Sequence, residues 1–289
     1  MMRKKIAIQG IKGCFHELAT KKFFKKEPYK LVECKTFKKL INVVVTKKAD
    51  IGVIAIENSL VGVIIENYNL IKNFKLKIIG EIYLPINQNL MILKQNDIKN
   101  IKQIISHPMA LLQCKKYLSK YKNLKITEYA DTAEAAFFIY KKKKKNIAAI
   151  ASKEAARVYN LKIIDKNIQT VKKNYTRFFV IQKNKDFYLK YLKFNKASCY
   201  FSFNNLIDEL YFILKIISIF EIKITSIQTF PKKKKIWKYK FYMDIFFNIK
   251  KLLIKSPRIL IQSISFLINW NILNWNILKL FYYKKIIKY

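Results

Sequence analysis

The chain has 289 residues and a mass of 34.5 kDa, a length that suits two domains. Hydrophobic residues make up 52% and aromatics 15%, which supplies a large core and argues against global disorder despite a net charge of +40. Only four of the 58 cations are arginine (Arg3, Arg157, Arg177 and Arg258), so the bidentate fork that reads nucleic-acid bases is scarce and no specific nucleic-acid partner is expected.

In chain order, residues 4–9 read as a strand and a helix opens near Cys14. Residues 50–57 form a second apolar strand, and 64–74 have helical spacing. Residues 77–93 look like two extended segments broken at Pro85. A short strand at 103–106 is followed by Pro108, a residue that often opens a helix. Further strands are expected at 124–129, 147–151 and 161–165, interleaved with helices at 132–140 and 153–159. This βαβ rhythm predicts largely parallel α/β layers, with ligands at the carboxyl ends of strands. Residues 182–194 are polar and aromatic and read as a linker. Strand 196–203, helix 207–219, strands 222–230 and 236–247, helix 257–269 and strand 276–283 then follow. That order is β-α-β-β-α-β, the ferredoxin-like arrangement.

Cys14, Cys34, Cys114 and Cys199 lie far apart, which excludes a paired-cysteine zinc motif and a disulfide framework. The N-terminus runs into Ile6-Ala7-Ile8 without a signal-peptide core. The uncharged stretch 259–278 is long enough to span a membrane, but its Asn269, Asn271, Asn274, Asn276 and Gln262 are costly in hydrocarbon. A cytoplasmic protein without a membrane partner is expected.

All five glycines fall before residue 81, so chemistry is expected in the first half. Gln9-Gly10-Ile11-Lys12-Gly13 follows a strand and precedes a helix; it is either a plain turn or a set of N–H groups for an anion. Glu57-Asn58-Ser59 with Gly62 puts a carboxylate, an amide and a hydroxyl at a strand end, which suits a capped turn and a site equally. Ser106-His107-Pro108 with Gln113 and Cys114 repeats the pattern, and His107 reads more readily as a hydrogen-bonded imidazole than as a base. Asp131-Thr132 looks like an N-cap and first helical residue. Asn174-Tyr175-Thr176-Arg177 interrupts an apolar run with a hydroxyl and a rare arginine, which favours function. A set of neutral donors with one strong cation suits a small anionic substrate that needs no cofactor.

In this order the segments resemble prephenate dehydratase followed by an ACT regulatory domain, over nearly the whole chain. The match rests on Glu57-Asn58-Ser59 with Gly62, Ser106-His107-Pro108 with Gln113-Cys114, and Thr176-Arg177-Phe178. It implies a catalytic domain over 1–183, built as two α/β lobes similar to type II periplasmic binding proteins. Lobe one would hold about 1–80 plus 168–183, and lobe two about 85–165. A linker over 184–195 and an ACT-like domain over 196–289 would follow, without a fused chorismate mutase. The implied reaction turns prephenate into phenylpyruvate, water and carbon dioxide, with no metal or organic cofactor, in a homodimer or higher oligomer. Thr176 would be the catalytic donor. Asn58, Ser59, Ser106, Gln113 and Thr132 would hydrogen-bond the substrate, and Arg177 would meet a carboxylate or else brace the loop. Glu57 would orient Asn58 or bond backbone N–H groups, with Gly10 and His107 in supporting places.

This chain departs from the family at several positions. Ile11, Cys14 and His16-Glu17 replace a proline, a small hydroxyl and a Ser-His pair. The effector segments appear as Asp208-Glu209-Leu210-Tyr211 and Gln228-Thr229-Phe230-Pro231, while the Trp237, Tyr239, Phe241, Asp244 pattern survives. Weak or absent phenylalanine feedback is therefore expected. The alternatives are an arogenate dehydratase, a non-catalytic anion-binding module of the same fold, and lysine-driven adhesion to RNA.

Overall fold

The apolar runs around Ile6–Ile8 and Ile51–Ile56 become the buried centre of a first sheet, with every side chain in both runs less than a tenth exposed. The computed structural model describes residues 3–25, 27–183, 195–201, 206–231, 239–248, 281–283 and 286–287. The chain opens with β1 (Lys4–Gln9), α1 (Phe15–Phe24), β2 (Tyr29–Cys34), α2 (Phe37–Val45), β3 (Ile51–Asn58), β4 (Gly62–Val63), α3 (Ile65–Asn73) and β5 (Lys77–Pro85). It continues with β6 (Asn89–Leu93), β7 (Gln103–Ser106), α4 (Pro108–Gln113), α5 (Lys115–Leu118), β8 (Lys125–Glu128), α6 (Thr132–Lys142), β9 (Ile147–Ala151), α7 (Lys153–Val158), β10 (Leu161–Asp165) and β11 (Tyr175–Gln182). The last elements are β12 (Lys196–Phe201), α8 (Leu206–Ile219), β13 (Lys223–Pro231), β14 (Tyr239–Phe246), β15 (Phe281–Tyr283) and β16 (Ile286–Ile287).

The chain divides into two compact units, one of Met1–Leu76, Gly80–Lys183 and Ile286–Tyr289, the other of Lys77–Ile79 and Asn184–Lys285. The first unit holds two sheets. One has the order β16-β5-β11-β3-β1-β2 with β4 beside β3, and the other the order β10-β6-β9-β7-β8. Strands β2, β1 and β3 are parallel, as are β8, β7 and β9. The expectation of largely parallel layers needs correction at β11, β6 and β10, which run antiparallel to their neighbours. Strand β6 follows β5 with no crossover helix, and β11 is the return segment from the second sheet to the first.

Residues 29–45 carry no assigned element in the sequence pattern, yet form β2 and α2. Three consecutive valines at 43–45 argue locally against a helix. Tertiary packing overrides that preference. Thr36 caps α2 by accepting from Lys39 N at 3.1 Å, and Leu40, Ile41, Val43 and Val44 are buried. Each such burial contributes roughly 1.5–3 kcal/mol. Gly52 lets α2 sit close on β3, since an added Cβ would lie 2.9 Å from Leu40 Cδ2.

The second unit has one sheet of order β13-β14-β12-β15, with antiparallel neighbours throughout, and carries α8. Cys199, Phe201, Ile213, Phe241 and Met243 form its main buried cluster. All but Asn195 of the expected linker over 184–195, Trp237 and the helix at 257–269 lie outside the described residues. Among the described residues no helix is long and apolar enough to cross a membrane, and the stretch 259–278 is outside them.

Candidate active site

Strands β3 and β11 converge where one ends and the other begins. Thr176 faces Asn58 and Arg177 faces Glu57, but Phe178 faces Ala55, so Ile56 is an extra residue on β3. This one-residue bulge lies at the functional end of the sheet, where bulges re-aim side chains. Successive residues of β11 point to opposite faces, which separates Thr176 from Arg177.

On the Thr176 face, three amides form a chain with a fixed direction. Asn58 Oδ1 accepts from Leu60 N at 3.0 Å and Val61 N at 3.1 Å, which leaves its Nδ2 pointing the other way. That nitrogen donates to Asn174 Oδ1 at 2.8 Å, Thr176 Oγ1 at 3.0 Å and Tyr175 O at 3.2 Å. Asn174 is fully buried and donates through Nδ2 to Gln113 Oε1 at 3.0 Å. Gln113 sits at the end of α4, and the chain thus links the second sheet's layer to Thr176. Because Thr176 accepts from Asn58, its own proton is left to donate elsewhere, and no acceptor for it lies among the described residues.

Other groups border this chain. Ser59 is exposed and its Oγ accepts from Tyr175 N at 3.0 Å. His107 caps α4 by accepting from Met109 N at 3.2 Å through Nδ1, which leaves Nε2 as the ring nitrogen able to donate. Asp131 caps α6 through Oδ1, at 2.7 Å from Ala133 N and 3.2 Å from Glu134 N. Burial pushes the Asp131 carboxyl up, against the pull of those two N–H groups and of His107. Gly10 has φ +97° and lies so close that a Cβ there would sit 3.3 Å from Asp131 Oδ2. Thr132 follows, buried, on the first turn of α6.

Several sequence expectations change here. Arg177, read either as a partner of a substrate carboxylate or as a brace for the loop, is buried on the opposite face and donates to Glu81 Oε2 through Nε at 2.9 Å and NH2 at 2.7 Å, a geometry that favours the second role. Glu57 flanks the same guanidinium at 3.6 Å, and among the described residues it bonds neither Asn58 nor a backbone N–H. Ser106, read as a substrate donor, is fully buried and donates to Ile150 O at 2.6 Å, tying β7 to β9. Asn58, read the same way, has its donors and acceptor engaged within the protein. The Gly10–Gly13 turn is a plain turn. Gly10 N donates to Cys34 O, Lys12 N to Glu33 Oε1, Gly13 N to Glu17 Oε2 and Cys14 N to Ile11 O.

Sequence reasoning missed Glu81 and gave Asn174 no role of its own. Asn174 belongs to the polar break before Thr176. Glu81 is a lone carboxylate inside the apolar run of β5, a pattern that calls for a buried cation. The four cysteines are free and buried, and burial pushes the Cys114 and Cys199 thiols up to about 12.

Comparison with known proteins first gives the class, an α/β dehydratase. The family described as PDT, prephenate dehydratase, matches residues 6–186. Prephenate dehydratase of Methanocaldococcus jannaschii is 38% identical over 258 residues, covering 87% of this chain and 91% of that protein. The chain belongs to the prephenate dehydratase family. The crystal structure of prephenate dehydratase from Staphylococcus aureus subsp. aureus Mu50 has a TM-score of 0.76 at 22% identity, covering 98% of this chain and 100% of that one. A structure described as GqqA, a quorum-quenching acylase, has a TM-score of 0.80 at 22% identity, covering 97% of this chain and 98% of that one. At such identity these two structures speak for the fold alone.

Proposed function

We propose that this chain converts prephenate to phenylpyruvate, with Thr176 donating to the departing oxygen. The observation that carries the reading is the direction of the amide chain, which leaves the Thr176 proton free. In the reaction the ring carboxylate leaves as carbon dioxide and its bonding electrons enter the ring. The ring hydroxyl leaves with one proton as water, and the ring becomes aromatic. One proton is consumed overall. An alcohol is too weak an acid to keep that charge, so Thr176 donates a hydrogen bond in the transition state and passes on a proton drawn from solvent.

Ser59, Gln113 Nε2, Thr132 and His107 Nε2 donate no hydrogen bond among the described residues and supply neutral hydrogen bonds to the dianion. Asn58 and Asn174 orient Thr176, and Arg177 braces β11 through Glu81. An acylase reading would call for an activated nucleophile, whereas burial pushes the Cys14 thiol up, away from the thiolate.

In the same reading the two sheets act as two lobes like those of type II periplasmic binding proteins, and the second unit is an ACT-like domain with degenerate effector segments. The enzyme works in the cytoplasm, as a homodimer or higher oligomer, with weak or absent phenylalanine feedback. The test mixes purified protein with prephenate and follows phenylpyruvate. Product forming in proportion to enzyme supports the reading, and none sinks it. Faster turnover of arogenate than of prephenate would move the assignment to the amino substrate.

A further inference from the structure

We infer that His16 and Asn67 are positioning residues that clamp the β3 bulge and so decide which side chain faces Thr176. The inference rests on the proposed role of Thr176. Strand β1 pairs with β3 only as far as Val53, and β4 takes up that edge only from Glu57 onward. Residues 54–56 lie in the gap, and the extra residue Ile56 lies within it.

In that gap two side chains stand where a strand would. Ala55 N donates to His16 Nε2 at 3.3 Å, and Ala55 O accepts from Asn67 Nδ2 at 2.7 Å. Ile64 N closes the same stretch by donating to Ile56 O at 2.8 Å. Buried backbone groups without partners are costly, so these contacts favour the bulged path over its alternatives. The phase of the strand depends on that path. Without the extra residue every later side chain would swap faces, turning Asn58 away from Thr176 and bringing Glu57 toward it.

Both residues are suited to this one task. The His16 ring lies against Phe37 and Phe178, at centroid distances of 5.6 and 5.0 Å, which fixes its plane. Burial lowers its pKa to about 3, so the imidazole is neutral and can accept at ordinary pH. Asn67 is fully buried and its Oδ1 has no hydrogen-bond partner among the described residues. A leucine would fill that volume without an orphaned atom. The donor to Ala55 O is what the amide adds.

The experiment measures kcat and KM for prephenate in the full chain carrying His16→Leu, His16→Gln or Asn67→Leu, with thermal melting to confirm folding. His16→Leu and Asn67→Leu should lower kcat about tenfold or more, with KM held within about twofold. His16→Gln places an acceptor near the Nε2 position and should restore most of kcat. Unchanged kcat in both leucine variants, or failure of His16→Gln to rescue, overturns the inference. If His16→Leu does not fold, Asn67→Leu decides alone. Thr176→Val separates the two ideas. A loss in Thr176→Val without one in the clamp variants removes only the clamp. In the Thr176→Val background the clamp variants should cost little more, and an additive loss would mean they act elsewhere.

Discussion

The two units bury their polar groups in different ways. In the first, Asn58, Asn67, Gln88, Asn89, Gln169 and Asn174 are buried neutral amides. Many join segments distant in sequence: Gln169 Nε2 donates to Asn87 Oδ1 at 3.1 Å, and Asn89 Nδ2 to Ala151 O at 3.1 Å. In the second, the buried polar residues are Lys196, Ser198, Glu209 and Asp244, with Ser198 donating to Asp244. Its sheet is knitted by cross-strand rings, Tyr200 with Tyr242 at 4.8 Å and Phe201 stacked on Phe241 at 5.6 Å. An amide has a donor end and an acceptor end and does not titrate, so a chain of amides holds one direction across pH. Aromatic pairs hold a sheet without specifying any ligand. In the proposed reading the first unit aims a proton, and the second keeps a sheet.

The strongest challenge to that contrast is a buried ion pair in the first unit's core. Arg177 is 4% exposed and Glu81 0%, so removing one partner leaves a charge in the interior. Arg177→Met should cost about 3–5 kcal/mol in urea unfolding, and adding Glu81→Leu should recover much of it. A loss under about 1 kcal/mol would mean that amides alone hold this region. Next in size is Thr176→Val, expected to keep the melting temperature and reduce kcat by roughly two orders of magnitude, about 3 kcal/mol. Near-normal turnover would remove Thr176 from the chemistry and leave the amide chain without a purpose.

Much of the first unit was legible because its strands and caps are local. Pro108 opens α4 and Asp131 caps α6 where the residue types require. The polar break at Asn174–Arg177 falls where β11 begins, beside Asn58 and Gln113. Partners across the fold were not legible. Nothing near Arg177 in sequence announces Glu81, which lies on β5, and nothing near Ser106 announces the Ile150 carbonyl on β9. Direction was hidden too, since the free end of an amide depends on backbone N–H groups such as those of Leu60 and Val61. Helix α2 was missed because its valines favour strands until Gly52 lets them pack.

A smaller effect separates titrating from non-titrating groups within the first unit. Burial lowers His16 from the ordinary 6.5 to about 3. The unfolded chain therefore binds a proton below 6.5 that the folded chain refuses. The stabilising contribution is present above 6.5 and is lost as pH falls toward about 3, with a slope of roughly 1.4 kcal/mol per pH unit. Glutamine does not titrate, so the stability difference between the parent and His16→Gln isolates this term from the carboxylates. It should shrink as pH drops through that window, and a flat difference would show that the His16 ring is not held neutral.

The smallest effect is expected from phenylalanine, and it tests the other side of the contrast. In the proposed reading Asp208, exposed on the first turn of α8, stands in the degenerate effector segment, where its bulk and negative charge oppose a carboxylate ligand. Tyr211, one turn later, is 64% exposed and Phe230 is buried against Tyr242 at 5.4 Å, so these side chains serve the sheet and the solvent. Phenylalanine at low millimolar should change the rate by less than about twofold and leave the melting temperature unmoved, since a ligand that does not bind the folded state cannot stabilise it. Asp208→Gly sharpens the point. If the aspartate alone blocks the site, that variant gains a phenylalanine-dependent rise in melting temperature. If it gains none, the second segment is also unfit to bind. Strong inhibition of the parent would mean that the second unit still specifies a ligand through residues other than Asp208, and the division of labour between an aiming unit and a sheet-keeping unit would fail.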